Sequence, residues 1–356
     1  MTTTFFTGPS APDAALAAAA TAAHNAASGE HTLLFSVGPA HYLPFGVPPA
    51  RAPQPFAPHL DVLAFDALAA LDAIWEQGRA NRPAQLSGTA SKELPLPPGI
   101  EMILGFQQIA TLAAHYQHLI VAVGSHDALL RGLALVDGLR WGVRLLFGLD
   151  RGPGRSADSV GRALLPTSFL PLHVIDGAQD LRIAAEQARA TITDPAHASA
   201  RFVLPATPPA LAEARLAVPA LQLHGLHVSH VLVGPAHTQG AIFEAAQQIW
   251  VSRPVLAMPN DQNSELAALA ALGAQISGDS AVPLVPPIAF AHAGQAALVI
   301  ALPGLPSGAI TLTLSGDELI VRIGPYRRHM LLPDGLRGVT SIKAVREGEL
   351  LIVRKR

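Results

Sequence analysis

Residues 6–16 read F-T-G-P-S-A-P-D-A-A-L and lie between an apolar N-terminal segment and an alanine-rich stretch. Nucleotide-binding proteins place a phosphate-binding loop in this setting, after a strand and at the start of a helix. Such a loop uses glycines to turn backbone N–H groups toward the anion, a lysine to neutralise it, and a Ser or Thr hydroxyl to hold magnesium. Of those glycines, this segment has Gly8 alone.

The other positions of the loop carry residues that work against phosphate binding. Pro9 and Pro12 have no backbone N–H, and Asp13 adds a negative charge beside the place of the anion. Ala14 and Ala15 stand where lysine and threonine would be needed. The residues of this loop therefore predict that it binds neither ATP nor magnesium.

Four segments share their order and frame with one known family. Residues 7–20 read T-G-P-S-A-P-D-A-A-L-A-A-A-A, residues 33–43 read L-L-F-S-V-G-P-A-H-Y-L, and residues 120–133 read I-V-A-V-G-S-H-D-A-L-L-R-G-L. Together with residues 227–235, H-V-S-H-V-L-V-G-P, they resemble the landmarks of the ArsA family of ATPases, which includes the ATPase that targets tail-anchored membrane proteins. The resemblance runs nearly end to end.

At the family's catalytic positions, the resemblance implies that the residues needed to bind and hydrolyse ATP have been replaced. The family loop G-K-G-G-V-G-K-T-T has two signature lysines, which Pro9 and Ala14 replace here. Gly38 stands in place of the aspartate that activates water, Ala122 in place of the magnesium-site aspartate, and Gly234 in place of the asparagine that reads adenine. We interpret the chain as a pseudo-ATPase with no catalytic residues and no ATP or magnesium cofactor. The degenerate nucleotide-site positions are Gly8, Pro9, Ala14, Ala15, Gly38, Ala122 and Gly234.

A cleft is expected to persist without its ATP-binding side chains, because parallel sheets bind ligands beyond the C-terminal ends of their strands. The possible cleft residues are His41, Ser125 and His126. An isolated histidine pair is more often a packing or hydrogen-bonding feature than a catalytic one, and no triad of nucleophile, base and orienting group is recognisable. The expected strand ends carry Gly8, Gly38, Gly124 and Gly234.

Histidines at 224, 227 and 230 form an H-x-x-H-x-x-H pattern, but we do not interpret it as a metal site. The family frame places His224 at a helix end, His227 in a turn and His230 in a strand, so they share no helical face, and no carboxylate lies among them. The chain has no cysteine. Disulfides and thiolate zinc sites are thereby excluded, including the C-x-x-C pairs that clamp some targeting-ATPase dimers.

The C-terminal segment predicts a small all-β sandwich. Its candidate strands are residues 310–314, 318–323, 327–332 and 349–354, and turn residues separate them. Residues 316–328, G-D-E-L-I-V-R-I-G-P-Y-R-R, resemble the α-crystallin-like module appended to some ArsA-family members. We interpret the basic pair Arg327 and Arg328 as a solvated edge-strand pair, with anion binding as the alternative.

The fold class expected for the whole chain is α/β, with a mostly parallel P-loop-NTPase-like sheet flanked by helices, followed by the β sandwich. The predicted domains are residues 1–281 for the ArsA-like unit, 282–295 for a linker and 296–356 for the α-crystallin-like unit. The candidate strands of the large unit are residues 4–6, 32–36, 119–123, 201–204 and 228–233.

The composition limits where in the cell the protein is expected and which classes of partner it is expected to bind. The mean hydropathy is positive, yet no apolar run reaches the roughly 18 residues that span a bilayer, so we expect no transmembrane segment. The alanine-rich stretch has no basic segment before it and follows Asp13, which favours a cytoplasmic protein over a secreted one. A net charge of -2 without a basic cluster argues against nucleic-acid binding. The proline-rich residues 44–58 predict a surface loop.

Three hypotheses follow for function. The favoured one is a non-hydrolysing dimer that works as a binding, scaffold or chaperone-like protein; the resemblance implies a homodimer and allows a protein or apolar client. The second is an anion-transport or targeting ATPase that uses non-standard residues. The third is a small-molecule-binding or metal-binding protein that reuses the empty cleft. Residues 149–201, where client-carrying relatives build a groove, are short here and predict at most a reduced one.

Overall fold

A computed structural model describes residues 1–38, 43–78, 90–93, 99–147, 172–234, 240–259, 264–278, 285–339 and 341–356. The predicted position His41, within 39–42, and residues 149–171 of the short client region lie outside the described residues.

Among the described residues, nine strands form the central sheet of the N-terminal unit. Its order is β3-β5-β2-β6-β1-β7-β8-β9, and every pairing along this path is parallel. β4 pairs antiparallel with β5 and lies off this path. The predicted α/β class and all five candidate strands are confirmed. The strands are β1 (Thr2–Gly8), β2 (Thr32–Val37), β3 (Pro49–Ala50), β4 (Gln54–Ala57), β5 (Leu60–Phe65), β6 (His118–Ser125), β7 (Ala198–Leu204), β8 (Val228–Val233) and β9 (Val255–Ala257).

Helices flank this sheet, and the first shows how the local sequence sets its start. The first begins after Ser10, whose hydroxyl accepts the Asp13 N–H at 3.4 Å as an N-cap. Its alanines are buried on nearly every side, because the helix lies between the sheet and the last helix of this unit. The described helices are α1 (Ala11–Ala27), α2 (Ala67–Gln77), α3 (Ile100–Leu112), α4 (His126–Phe147), α5 (Leu172–Ile192), α6 (Pro208–Leu223), α7 (Ala241–Ile249) and α8 (Leu266–Ser277).

Two antiparallel sheets form the C-terminal unit, with orders β10-β11-β16-β15 and β12-β13-β14. Their apolar faces share one core cluster that includes Leu298, Val321 and Val353. Leu223, at the end of α6, belongs to the same cluster, so the two units share packed surface. The predicted β sandwich is confirmed. Its strands are β10 (Ile288–His292), β11 (Gln295–Ala301), β12 (Ile310–Ser315), β13 (Glu318–Ile323), β14 (Tyr326–Leu331), β15 (Ile342–Glu347) and β16 (Leu350–Lys355).

Local structure departs from expectation at the sheet margins. Residues 44–58, predicted as a loop, contain β3 and β4, both of which pair with β5. Their prolines are tolerated because they stand at the edge of the sheet, where a missing N–H breaks few ladder bonds. β10 lies within residues 282–295 and pairs with β11. The domain boundaries themselves stay predictions.

Within the part of the chain that the structure describes, no helix combines the length and apolar character needed to cross a membrane.

Candidate functional site

The C-terminal ends of four parallel strands meet at one edge of the large sheet. Gly8 ends β1 opposite Ser125 at the end of β6, and the Thr7 hydroxyl donates to the Gly124 carbonyl at 3.3 Å. Gly38 and Gly234 follow β2 and β8 directly. The glycine positions expected at this edge are confirmed.

Gly8 is needed there for close packing. A Cβ atom at this position would lie 1.9 Å from the carbonyl oxygen of Val203 in β7, so a larger residue would force the strands apart. This glycine therefore has a structural role that is independent of any phosphate.

The loop after β1 presents no cation to the start of α1. Asp13 lies in the first turn, where its carboxylate interacts with the positive end of the helix dipole. Ala14 is fully buried and Ala15 is 3% exposed, and both pack in a core cluster with strand residues such as Phe6. The methyl groups at these positions thus serve helix packing.

The corresponding positions in and after the next strands are also apolar or lack a side chain. Gly38 is exposed and has φ +131, a backbone conformation that favours glycine. Ala122 is buried in the same core cluster as Ala14. A Cβ at Gly234 would lie 2.7 Å from the Cβ of Met258, so the buried Met258 fills the space that a side chain here would take.

Ser125 and His126 form side-chain contacts at the start of α4. The Ser125 hydroxyl accepts the Ala128 N–H at 3.3 Å, which caps the helix. His126 is 1% exposed, and its Nε2 lies 3.0 Å from the Tyr326 hydroxyl and 3.2 Å from Glu213 Oε1. The His126 side chain thus contacts β14 of the C-terminal unit.

Tyr326 completes this contact. Its hydroxyl donates to Asp127 Oδ1 at 2.9 Å, so the hydrogen on His126 Nε2 is left to donate to the Tyr326 oxygen or to Glu213. Burial and the bond to Asp127 raise the pKa of Tyr326 above its ordinary value. Sequence reasoning missed Tyr326 and Glu213, because nothing local marks partners that are this distant along the chain.

His224 lies at a helix end and His230 in a strand, as predicted, whereas His227 lies in the connection between the turn and β8. Burial lowers the pKa of His224 to about 3, with Arg328 adding to the effect. Burial likewise lowers the pKa of His227 and of His230 to about 4. Among the described residues, no group of three or more His, Cys, Asp or Glu side chains is arranged to hold a metal ion.

The interpretation of Arg327 and Arg328 as a solvated pair is wrong for one of them. Arg327 is exposed, but only 13% of the Arg328 side chain is, and its Nε lies 3.6 Å from Asp137 Oδ2 on α4. Arg328 also donates to the Leu223 carbonyl. Although β14 is an edge strand of its sheet, α4 and α6 of the large unit cover this side chain.

Comparison with known proteins adds to this geometry. A family model described as "Anion-transporting ATPase" matches residues 1–245, and one described as "HSP20-like domain found in ArsA" matches residues 293–354. These two matches fall on the parallel sheet and on the β sandwich.

Relatives align over nearly the whole chain. The protein Rv2184c of Mycobacterium tuberculosis is 28% identical, over 94% of this chain and 91% of the relative. A Chlorobaculum tepidum protein, provisionally named an arsenical pump-driving ATPase, is 25% identical over 96% of this chain and 92% of the relative. The uncharacterised protein SCO2128 of Streptomyces coelicolor is 29% identical over 99% of this chain and 97% of the relative.

Proposed function

Because this chain belongs to the anion-transporting ATPase family, we propose that it is a member that has given up nucleotide hydrolysis and acts as a cytoplasmic, dimeric binding or scaffold protein. The family fold supplies the scaffold. The β sandwich, packed against α6, supplies further surface for a protein or apolar client.

One observation carries this proposal: the start of α1 holds a carboxylate and two buried methyl groups in place of the phosphate-binding cation and hydroxyl. A magnesium nucleotide brings several negative charges, which Asp13 would repel. Ala14 and Ala15 offer neither a positive charge nor a magnesium ligand. The residues of this loop therefore do not fit the family's nucleotide.

The neighbouring strand ends support the same conclusion. Gly38 and Ala122 have no carboxylate to orient water or to serve magnesium. Met258 packs into the space beside Gly234, where the base would be read. A single loss could be compensated by a neighbour, but these losses concern the phosphate, metal, water and base positions together.

Calorimetric titration of the full chain with magnesium-ATP and magnesium-ADP tests the proposal. We expect no saturable heat with either nucleotide. Micromolar binding would overturn the proposal and favour an ATPase that uses non-standard residues. In that event Asp13→Asn would locate the ligand, since only a nucleotide at the α1 loop would bind more tightly once this charge is removed.

A triple variant, Asp13→Gly with Ala14→Lys and Ala15→Thr, restores three family residues and serves as the matched comparison. Nucleotide binding gained by this variant alone would assign the loss to these positions. Its circular dichroism spectrum is compared with that of the native protein first, because the restored lysine replaces a buried alanine. Light scattering tests the dimer, and a monomer at micromolar concentration would contradict that part of the proposal.

A further inference from the structure

A cavity of about 270 Å³ lies between α4, α5, the end of α6 and the C-terminal unit, away from the strand ends described above. Its polar lining includes Asp137 and Arg140 of α4, Arg189 of α5, His224 after α6, and Arg328 of β14. Pro286, Ile288 and Phe290 supply an apolar wall. The cavity thus joins charged and apolar surface at the seam between the two units.

Positive charge exceeds negative charge in this lining. Arg189 contacts Asp137 Oδ1 at 2.6 Å, and Arg328 approaches the other carboxylate oxygen at 3.6 Å. Asp137 is the one carboxylate that lines the cavity among the described residues, whereas three guanidinium groups line it. His224 adds no charge near neutral pH, because its pKa is about 3.

One carboxylate outside the lining lies beside a histidine of the lining, His329. Glu318 of β13 is 9% exposed, and its Oε2 lies 3.8 Å from Nδ1 of His329. Arg140 donates to the backbone carbonyl of His329 at 3.1 Å, which orients its guanidinium but does not neutralise it. The excess of positive charge in the cavity therefore stands.

Three buried nitrogen atoms of the lining, and Oδ2 of Asp137, also have no hydrogen-bond partner among the described residues. The nitrogens are Nε of Arg328, Nδ1 of His224 and Nδ1 of His329. The 3.6 Å from Arg328 Nε to Asp137 is too long for a hydrogen bond. An unpaired donor on a buried charged group is costly, and an acceptor inside the cavity would remove that cost.

We propose that this cavity binds a small oxyanion, a phosphate or a carboxylate, held by Arg140, Arg189 and Arg328. Guanidinium groups present paired, planar N–H donors that match the oxygens of such anions. Buried guanidinium groups are stable when their charges are balanced, and Asp137 balances only one of three. The ligand would bridge α4, α5 and β14, and so would strengthen the contact between the two units.

Calorimetric titration of the full chain with inorganic phosphate, sulfate and succinate, in a low-chloride buffer, tests this proposal. We expect saturable binding of one anion per chain. Arg140→Gln should weaken it about tenfold or more, since a charge-assisted contact is lost. Arg131→Gln is the matched control, because Arg131 lies on the same helix, is exposed, and lines a different cavity; it should leave the affinity unchanged.

A second variant leaves the three arginines and their contacts between the two units unchanged. Phe290 is 59% exposed at the cavity wall, so Phe290→Glu should preserve the fold while its carboxylate competes with the anion and abolishes binding. Preferred binding of phosphate and sulfate would identify a tetrahedral oxyanion, and preferred binding of succinate an organic carboxylate. The proposal would be overturned if none of the three anions binds saturably at concentrations up to about 10 mM. It would also be overturned if Arg131→Gln weakens anion binding as much as Arg140→Gln does.

Discussion

At the residue scale, Asp137 balances charge at the seam between the two units. Its side chain is 6% exposed and contacts Arg189 and Arg328, which belong to different units. Burial alone would raise the pKa of Asp137, but the two arginines outweigh burial and hold the pKa below its ordinary value. The stabilisation from this carboxylate is therefore present above about pH 4 and is lost as the pH falls through the lowered pKa.

Replacing Asp137 with asparagine should destabilise the protein by about 3 kcal/mol or more, because two largely buried guanidinium groups lose their shared counter-charge. Urea unfolding in phosphate-free buffer measures the change. Asp334→Asn is the control, since Asp334 forms an ion pair with Arg337 while 89% of its side chain is exposed. That pair is screened by solvent, so we expect no measurable shift. Equal midpoints for the two variants would contradict the assigned role of Asp137.

At the element scale, the contact between α1 and α8 depends on one small residue. A Cβ at Gly273 of α8 would lie 2.1 Å from the carbonyl oxygen of Ala20 and 2.7 Å from Cβ of His24. The backbones of the two helices approach closely there, which explains why the buried face of α1 is almost all alanine.

Gly273→Ala should therefore destabilise the protein by about 2 kcal/mol, since the helices must move apart. Gly138→Ala is the matched control: it is also a glycine within a helix, it is exposed, and nothing lies within 4 Å of its added methyl group. This second change should stabilise the protein by about 0.5 to 1 kcal/mol through helix propensity. Thermal and urea unfolding give both values. Stabilisation by both changes would show that α1 and α8 have room for the added methyl group.

At the scale of the whole molecule, the large unit and the β sandwich share contacts from several elements. Leu223 packs in the core of the sandwich, and Arg215 of α6 approaches the Gly304 carbonyl at 3.4 Å. Ser252 donates to Glu349 at 2.6 Å. These contacts favour a single unfolding transition for the two units.

Acid should weaken this whole structure through its buried histidines. The pKa values of His224, His227 and His230 are lowered to about 3, 4 and 4, so the folded protein keeps them neutral where the unfolded chain binds protons. The free energy of unfolding should thus fall as the pH drops from about 6.5 toward 4, by up to about 1.4 kcal/mol per pH unit for each histidine. Urea unfolding across this range measures the slope.

A pair of variants tests the source of that slope. His230→Gln removes one of the three buried titrating groups and should reduce the slope by about a third. His115→Gln changes an exposed histidine and should leave the slope nearly unchanged. An unchanged slope in the first variant would assign the acid sensitivity to other groups.

Much of the fold was predictable from the sequence because its signals are local. Apolar runs ending in glycine predicted β1, β2, β6 and β8, and the turn residues around residues 310–354 predicted the sandwich. β4 was missed because its pairing depends on a free edge of β5, which no local pattern reveals. The residue types at the strand ends could be read from the sequence, whereas the filling of space beside Gly234 by Met258 could not.

By itself, the sequence determined that Ala14, Ala15, Gly38 and Ala122 carry no amine, hydroxyl or carboxylate, since the residue type fixes which groups a side chain offers in any conformation. Only the tertiary structure decided what the remaining polar residues contact. His126 and Tyr326 are 200 positions apart, and Arg328 of an edge strand is buried against Asp137 of another unit. Such pairs form because packing brings distant segments together, and their burial and charge balance exist only after that packing.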